Sequence, residues 1–506
     1  MPTRPLWPTR RDLLKTTGGA VAASLLAANA RAEPSPDKPA TQPAGKLIGI
    51  QIGAVSFVDE GVARVLDTVQ ERAHVNAVFL AVFTYGRGIG GRQVPGQPLP
   101  DHGKQEYDLD FHGGNFATPH PEFYQDTVLK DLKAPDHGRL DILEAVLPEA
   151  SKRGVRIFCW AEDVWRGNLP GIEKVQEVDL EGRRLNSLCL RNPDYRHFLD
   201  GLTRDYATSY PVAGLMWGSE RQGPLNNALG ASHGGGGDPT RVGCFCEFCR
   251  EEARQRGIST DRAIAGYRQL AGFVQSARKG ERPRDGHFVQ FWRTLVEYPE
   301  LLAWEKLWSD GQHEAYALIH SAAKSVRRDV QVGFHIWHLN SFSPFWRAEQ
   351  DYARLAEHAD FFKAVMYNNC GGPRFANYIR NVHRTFFGDL EPEEALRFHY
   401  RVLGYDEKGL EDLPSGGLSA DYVFRETLRA KEGVAGGAAV YPGIDVDIPT
   451  GKDEKKTTPD DVREAVKAAF KGGADGIILS RKYSEMRLDN LSGAGRGLRE
   501  ADIVSR

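Results

Sequence analysis

Two acidic residues stand where short apolar segments of the sequence end. Glu220 follows the segment Val212–Trp217, and Asp445 follows the segment Ala438–Ile444. In barrels of parallel strands, the residues that do chemistry lie at the carboxyl ends of the strands. Two carboxyl groups that flank a glycosidic bond can break it, one as an acid and the other as a nucleophile or as a base on water. We therefore predict Glu220 as the general acid/base, with a pKa raised by desolvation, and Asp445 as the nucleophile or base.

Aromatic and polar residues end or follow the same kind of apolar segment. Aromatic rings offer stacking surfaces for sugar rings, and polar side chains hydrogen-bond to sugar hydroxyls. The predicted substrate-binding residues are Trp160, Glu162, Trp217, His335, Trp337, Tyr367, Asn368, Tyr441, Arg481 and Tyr483. Glu162, Asp447 and Glu485 are alternatives to Asp445 as the second carboxylate. These residues predict a cleft that binds an oligosaccharide or a polysaccharide.

Four cysteines form the second chemical feature of the sequence. Cys189, Cys244, Cys246 and Cys249 supply four thiolates, which is enough for a tetrahedral zinc site. Four protein ligands leave no open coordination position, so the predicted zinc is structural. A disulfide between Cys189 and Cys249 is the alternative in an oxidising compartment. No organic cofactor is predicted, because Gly234–Gly237 lacks the sequence context of a phosphate-binding loop.

The first 32 residues have the features of an export signal. Thr9–Lys15 contains a twin arginine, an apolar run follows over Gly18–Ala28, and Ala30-Arg31-Ala32 fits a cleavage site. The run is too short for a stable membrane anchor. We predict a twin-arginine signal peptide over 1–32, recognised by the twin-arginine export machinery, and a disordered linker over 33–45. The mature protein is then periplasmic or secreted, and zinc is loaded before export.

The composition of the chain excludes one class of partner. The 506 residues carry a formal charge of −3, and residues 1–32 hold five basic residues and one Asp, so the remainder is more acidic. Such a chain has no basic surface for nucleic acid. The hydrophobic content of 41% is enough to bury a large core. Nothing in the sequence indicates an oligomeric state.

Short apolar segments alternate with helical patterns along the chain, which is typical of a parallel sheet covered by helices. The predicted strands are Leu47–Ala54, Ala77–Phe83, Val155–Ala161, Val212–Trp217, Val330–Ile336, Phe361–Tyr367, Ala438–Ile444 and Gly476–Ser480. Eight such units predict a single (β/α)8 TIM barrel of the α/β class over residues 46–506. Long insertions follow the second strand, over Gly86–His137, and the fourth strand, over Asn226–Tyr298.

The segment Leu188–Arg250 resembles the matching region of the β-galactosidases of glycoside hydrolase family 42. The shared features, in order, are Cys189, the helix start Asn192-Pro193-x-Tyr195-Arg196, the pair Ser219-Glu220, and the cluster Cys244, Cys246 and Cys249. The resemblance implies a clan A barrel hydrolase with structural zinc. Two positions differ, since Ser219 stands where the clan has Asn and Asp445 stands where it has a nucleophilic Glu.

Two other functions are compatible with these residues. A metal-dependent TIM-barrel sugar isomerase or epimerase would place Glu162, Glu220, His335 and Asp445 around a divalent ion. A barrel without catalytic activity would bind carbohydrate only. The glycoside hydrolase is the preferred prediction, because Glu220 is placed for chemistry at a strand end.

Overall fold

Parallel strands form the centre of the structure, a computed structural model that describes residues 45–505. In chain order the strands are β1 (Leu47–Gly53), β2 (Ala77–Thr84), β3 (Arg156–Glu162), β4 (Gly214–Gly218), β5 (Gln331–Ile336), β6 (Phe361–Ala364), β7 (two segments, Ala439–Val440 and Gly443–Asp445) and β8 (Gly476–Ser480). Each overlaps one of the predicted apolar segments, so the strand predictions are confirmed. The predicted signal peptide, 1–32, and residues 33–44 of the predicted linker lie outside the described residues.

The strands close into a barrel, which confirms the predicted fold class. Each strand from β1 to β6 pairs in parallel with the next, and β8 pairs with β1. The strand β7 completes the ring in two parts, because its first segment pairs with β6 and its second segment pairs with β8. Pro442 lies between the two segments and has no N–H for the ladder, which accounts for the break.

Aromatic side chains fill the barrel interior. Phe79 and Phe158 stack with their ring centroids 4.7 Å apart, and Phe361 meets both rings edge-on. Glycines on neighbouring strands make room for these rings: a Cβ at Gly333 would lie 2.2 Å from the Phe361 ring, and one at Gly214 would lie 2.6 Å from the Phe158 ring. The interior is therefore a packed core rather than a channel, as in other barrels of this type.

Helices cover the outside of the barrel and fill its long loops. The helices that follow the successive strands on the outside are Val62–Ala73, Ile142–Lys152, Pro193–Ser209, Glu300–Val326, Tyr352–Leu355, Ala420–Val434, Pro459–Lys471 and Leu488–Glu500. The other helices are Ala54–Glu60, Arg87–Gly90, Pro224–Leu229, Glu247–Gln255, Thr260–Arg278, His287–Glu297, Leu339–Phe342, Pro344–Glu349, Gly371–His383, Pro392–Leu403 and Leu413–Gly416. Within residues 45–505, no helix is both long and apolar enough to cross a membrane.

The long loops lie on the carboxyl side of the strands. The predicted insertions after β2 and β4 are present, and the second contains the helices Glu247–Gln255, Thr260–Arg278 and His287–Glu297. A further insertion follows β6 and carries the helices Gly371–His383 and Pro392–Leu403, which the sequence analysis did not separate from the barrel helices. These loops surround the carboxyl end of the barrel, where the predicted site lies.

Candidate active site

Three side chains form a hydrogen-bonded chain at the carboxyl end of the barrel. Oε1 of Glu220 lies 2.8 Å from Nε2 of His335, and Nδ1 of His335 lies 3.3 Å from Nζ of Lys363. An ammonium group only donates hydrogen bonds, so Nδ1 accepts from Lys363 and the ring proton lies on Nε2. His335 therefore donates to Glu220. The predicted residues Glu220 and His335 are thus brought together by the ends of β4 and β5.

The buried lysine of this chain was not predicted from the sequence. Lys363 has no exposed surface, and its Nζ also donates to Oε1 of Gln51 and to the hydroxyl of Tyr367, both at 2.6 Å. Burial lowers the pKa of Lys363 to about 7, although the charges of Glu220 and Glu162 oppose this shift. The signal in the sequence was a lysine inside the apolar run of β6, which is uncommon because lysine is rarely buried without partners.

Glu220 is ionised in this environment. Desolvation in the mouth of the barrel raises its pKa, but the hydrogen bond from His335, together with the positive charge of Arg374, outweighs this effect and lowers the pKa to about 2. About half of the side-chain surface, 53%, is exposed. The expected raised pKa is therefore not found. An ionised, accessible carboxylate can act as a nucleophile or a base, but it holds no proton to donate near neutral pH.

Glu162 has the opposite electrostatic character. Its Oε2 accepts a hydrogen bond of 2.7 Å from the hydroxyl of Thr84. Burial and the negative charge of Glu220 raise the pKa of Glu162 to about 7, although Thr84, Arg481 and Lys363 favour ionisation. In the β3–β4 ladder, Glu162 pairs with Gly218. Gly218 lies two residues before Glu220 in the chain. The two carboxyl groups thus end neighbouring strands and have pKa values shifted in opposite directions.

Asp445 does not take the predicted position opposite Glu220. Its side chain is 0% exposed, and its two carboxylate oxygens accept backbone N–H bonds from Cys370 at 2.9 Å and from Ile448 at 3.1 Å. Burial raises the pKa of Asp445 against the effect of these bonds. The geometry corrects the expectation, because a substrate does not reach a carboxylate that is enclosed and bound to the backbone. Asp445 instead joins the end of β7 to the loop after β6.

The other two candidate carboxylates are also held by protein groups. Oδ2 of Asp447 accepts hydrogen bonds from the backbone N–H of Arg487 at 2.9 Å and from Nδ2 of Asn490 at 2.9 Å. Oε2 of Glu485 lies 3.1 Å from Nε of Arg481. Of the alternatives to Asp445 as the second carboxylate, Glu162 at the end of β3 is therefore the one that stays a candidate.

Several predicted substrate-binding residues do lie at the barrel mouth. Tyr367 contacts Lys363, and the charge of Arg481 acts on Glu162, so both lie beside the hydrogen-bonded chain. Asn368 is buried, and its Oδ1 has no hydrogen-bond partner among the described residues. Trp337 is half-buried and meets the ring of His233 edge-on at 5.4 Å.

Four predicted substrate-binding aromatics are placed elsewhere, and these predictions are corrected. Trp160 and Tyr441 belong to the aromatic core inside the barrel, where Tyr441 packs against Phe361 at 5.4 Å. Trp217 lies on the outer face of β4 and contacts Tyr316, because successive side chains of a strand point to opposite faces and Met216 occupies the inner one. Tyr483 is buried against the ring of His102 at 4.3 Å.

The four predicted zinc ligands converge on one point. The Sγ atoms of Cys189, Cys244, Cys246 and Cys249 lie within 4.8 Å of one another. Sγ of Cys189 is 3.5 Å from that of Cys246 and 3.6 Å from that of Cys249, and all six cysteines of the chain are free thiols rather than disulfides. Zinc–sulfur bonds of ~2.3 Å in a tetrahedron place the sulfurs about 3.8 Å apart. The donor set therefore fits a zinc ion.

The cysteine cluster is connected to the loop that carries Glu220. The backbone N–H of Phe245, between two of the cysteines, donates to Val178 in the hairpin Gln176–Val178 and Arg184–Leu188. Glu177 of this hairpin and Asp163 each lie 2.8 Å from the guanidinium of Arg221, the residue after Glu220. Arg221 is thus committed to these two carboxylates and does not pair with Glu220.

The resemblance to clan A enzymes implies Asn at the position of Ser219, which directly precedes Glu220. The hydroxyl of Ser219 donates to Oδ2 of Asp163 at 2.9 Å, and Asp163 also accepts from the hydroxyl of Tyr195 at 2.7 Å. Both serine and asparagine can serve as donors, but this serine is engaged with the protein. Ser219 therefore belongs to the support of the Glu220 loop in this structure.

Comparisons with known proteins agree with the fold. No protein-family model matches the chain, and no curated protein matches it in sequence. Among solved structures, a β-galactosidase from the Antarctic haloarchaeon Halorubrum lacusprofundi is similar over 90% of this chain and 58% of its own, with 14% identity and a TM-score of 0.51. A β-galactosidase from the psychrophilic Marinomonas ef1 is similar over 90% of this chain and 59% of its own, with 10% identity and a TM-score of 0.51.

This likeness concerns the fold. The chain spans less than two-thirds of the length of either β-galactosidase. At identities of 14% and 10%, the likeness shows a common fold. The resemblance to barrel glycoside hydrolases that Leu188–Arg250 indicated is thereby confirmed at the level of the fold.

Proposed function

We propose that this protein is a glycoside hydrolase in which Glu162 and Glu220 are the two catalytic carboxyl groups. The observation that supports this most directly is that their surroundings at the ends of β3 and β4 shift their pKa values in opposite directions, to about 7 for Glu162 and about 2 for Glu220. Pairs of carboxyl groups whose surroundings separate their pKa values are typical of acid and base partners in catalysis. The shared barrel fold agrees with this function.

The pKa values assign the roles of the two groups. Protonated Glu162 donates its proton to the leaving oxygen as the glycosidic bond breaks. Ionised Glu220, oriented by the Nε2–H of His335, either attacks the anomeric carbon or takes a proton from the attacking water. This assignment reverses the one that the sequence suggested for Glu220, because the histidine hydrogen bond favours the carboxylate form.

The substrate in this proposal is an oligosaccharide or polysaccharide. Asn368 and Arg481 offer hydrogen bonds at the mouth of the barrel, and Trp337 offers a partly exposed ring. Hydroxyl groups and sugar ring faces suit such a lining. The loops that surround the mouth leave Glu220 accessible for the reacting sugar.

A structural zinc ion and export complete the proposal. Cys189, Cys244, Cys246 and Cys249 would hold the ion, and it would cross-link the loop after β3 to the loop after β4. Closed sites of this kind stabilise a fold and take no part in the reaction. The signal sequence over 1–32 supports action in the periplasm or outside the cell, after passage through the twin-arginine machinery.

Two alternative functions make different predictions. The isomerase requires Glu162, Glu220, His335 and Asp445 around one ion, but among residues 45–505 the four cysteines form the only group of three or more side chains placed to share a metal. The donor set for that reaction therefore does not assemble. A carbohydrate-binding barrel without activity would bind sugars whether or not the carboxyl groups were present.

The test is a hydrolysis screen of the mature protein with aryl glycosides and polysaccharides, alongside Glu162→Gln and Glu220→Gln. With polysaccharides, whose leaving groups need protonation, we expect each substitution to reduce kcat by about 100-fold or more, the usual scale for a catalytic acid or base. Glu144→Gln, an exposed glutamate on the outer helix Ile142–Lys152, is the matched control and should leave the rate unchanged. Undiminished activity in both active-site variants, or sugar binding without any hydrolysis, would refute the proposal.

A further inference from the structure

An arginine that the sequence analysis did not select lies in the mouth of the barrel. Arg374 is in the first turn of the helix Gly371–His383, which follows β6, and it is half-buried. Its positive charge lowers the pKa values of Glu220 and His233, and it opposes protonation of Lys363. Arg374 is therefore close enough to the proposed catalytic centre for a bound substrate to meet it.

The guanidinium of Arg374 has no carboxylate partner among residues 45–505. Its polar contact is a long one, 3.4 Å from NH1 to Nδ1 of His338, and its Cζ lies 6.0 Å from the centre of the Tyr367 ring. Two other arginines at this end of the barrel are bound to acids, Arg221 to Asp163 and Arg481 to Glu485. Arg374 thus differs from these two arginines in having no acidic partner, so its guanidinium is available to an anion from outside the protein.

The two acids whose charges interact with Arg374, Glu220 and Asp445, are each hydrogen-bonded to other groups. His338 is fully buried and committed, with its Nε2 donating to the hydroxyl of Tyr422 at 3.0 Å. Glu220 is engaged by His335. Asn369, two residues before the helix, is 1% exposed, and neither its Nδ2 nor its Oδ1 has a partner in the described part of the chain. An unsatisfied amide and a guanidinium without an acidic partner thus border the start of this helix.

We infer that the cleft binds a sugar that carries a carboxylate group, a uronic acid, and that Arg374 binds this carboxylate. The inference rests on the proposed glycoside hydrolase function and names the substrate class for that site. The planar fork of a guanidinium matches the two oxygens of a carboxylate, and such paired bonds are among the strongest hydrogen bonds in proteins.

An anionic substituent also fits the electrostatics of the mouth. The carboxylate of Glu220 is compensated by its own hydrogen bond from His335, whereas Arg374 has no acid within salt-bridge distance among residues 45–505. The carboxylate of a bound sugar would therefore be attracted to the Arg374 side of the cleft, while the anomeric carbon of that sugar faced Glu220. Such a charge pair orients the sugar relative to Glu220 as well as binding it.

The experiment compares sugars that differ only at C6. Calorimetric titration of Glu220→Gln with both anomers of methyl glucuronide, methyl galacturonide, and the matching methyl glucosides and galactosides measures binding without turnover. We expect at least one uronide to bind about tenfold or more tightly than its neutral match, on the scale of hydrogen bonds to charged groups. Arg374→Met should remove the preference in the same background. Arg374→Lys should retain part of it, since lysine keeps the charge but not the fork.

Arg380→Met is the control, because Arg380 lies on the same helix and its near acidic partner is the exposed Glu411, 4.0 Å away. Equal binding of uronides and neutral sugars, with hydrolysis of neutral glycosides by the wild type, would overturn the uronic acid inference and leave the glycosidase proposal standing. Tighter binding of methyl glucoside 6-sulfate than of the uronides would also overturn it, in favour of a sulfated sugar. An absence of both binding and hydrolysis would overturn the two proposals together.

Discussion

His335 donates its Nε2–H to Oε1 of Glu220 across 2.8 Å, which joins the end of β5 to the residues that follow β4. The opposite ring nitrogen of His335 faces the ammonium of Lys363 at 3.3 Å, so the tautomer is fixed from inside the barrel. A carboxylate that accepts such a bond is stabilised in its ionised form. The relationship thus determines which of the two carboxyl groups at the barrel mouth is charged.

The first prediction concerns the acidic limb of the pH–rate profile. His335→Phe keeps the ring size but removes the donor, so the pKa of Glu220 should rise from about 2 toward the ordinary value for glutamate. Because the ionised form is the active one, the fall in kcat/KM at low pH should move to higher pH. Arg374→Met should move it in the same direction through loss of charge. An acidic limb unchanged by His335→Phe would contradict the assigned role of Glu220.

The second prediction concerns the alkaline limb and the leaving group. The wild-type rate should fall as pH rises through about 7, because Glu162 then loses the proton that it must donate. In Glu162→Gln this limb should disappear. The loss of rate should be large, about 100-fold or more, for a methyl glycoside and small for a dinitrophenyl glycoside, whose leaving group needs no protonation. Equal losses for the two leaving groups would assign the acid role to another residue.

The third prediction concerns the cysteine cluster. The mature protein should contain one equivalent of zinc by elemental analysis, and Cys246→Ser should reduce this content and lower the Tm, because the ion joins two loops. Cys159→Ala is the control, since Cys159 is a buried free thiol with no other cysteine sulfur beside it. A protein without metal and with four free thiols, not six, would instead favour the Cys189–Cys249 disulfide.

The sequence was sufficient for the barrel and for part of the site. Strand positions followed from apolar segments, and the cysteine cluster followed from spacing, because both depend on local pattern. The side of the sheet on which Trp217 lies could not be predicted from the sequence, because it depends on the register of β4 within the closed sheet. The burial of Asp445 depends on the N–H of Cys370, 75 residues away in the chain. Likewise, the contacts of Lys363 come from β1, β5 and the end of β6, which only the closed barrel brings together.

The last prediction concerns a pair of buried acids behind the Glu220 loop. Nδ2 of Asn226 donates to Oε1 of Glu305 at 2.8 Å and to Oε1 of Glu349 at 2.6 Å, and Glu305 also accepts from the backbone N–H of Leu225 at 2.7 Å. Burial raises the pKa values of both acids, and for Glu349 the charge of Glu305 adds to the effect. The folded chain therefore keeps these two acids protonated to higher pH than their ordinary pKa values would allow.

The sign of the pH dependence follows from these raised pKa values. In the unfolded chain both acids lose their protons near their ordinary pKa, whereas the folded chain retains them to higher pH, so their contribution to stability declines as pH rises above that value. Glu349→Gln replaces an ionisable acid with a neutral amide and so removes its dependence on pH. Its Tm should exceed the wild-type Tm at pH 8.5, and the difference should shrink toward pH 5. Thermal unfolding followed by circular dichroism at both pH values measures this, with the exposed Glu357→Gln as the control. A Tm difference that grew toward acidic pH would show that Glu349 is ionised in the folded protein.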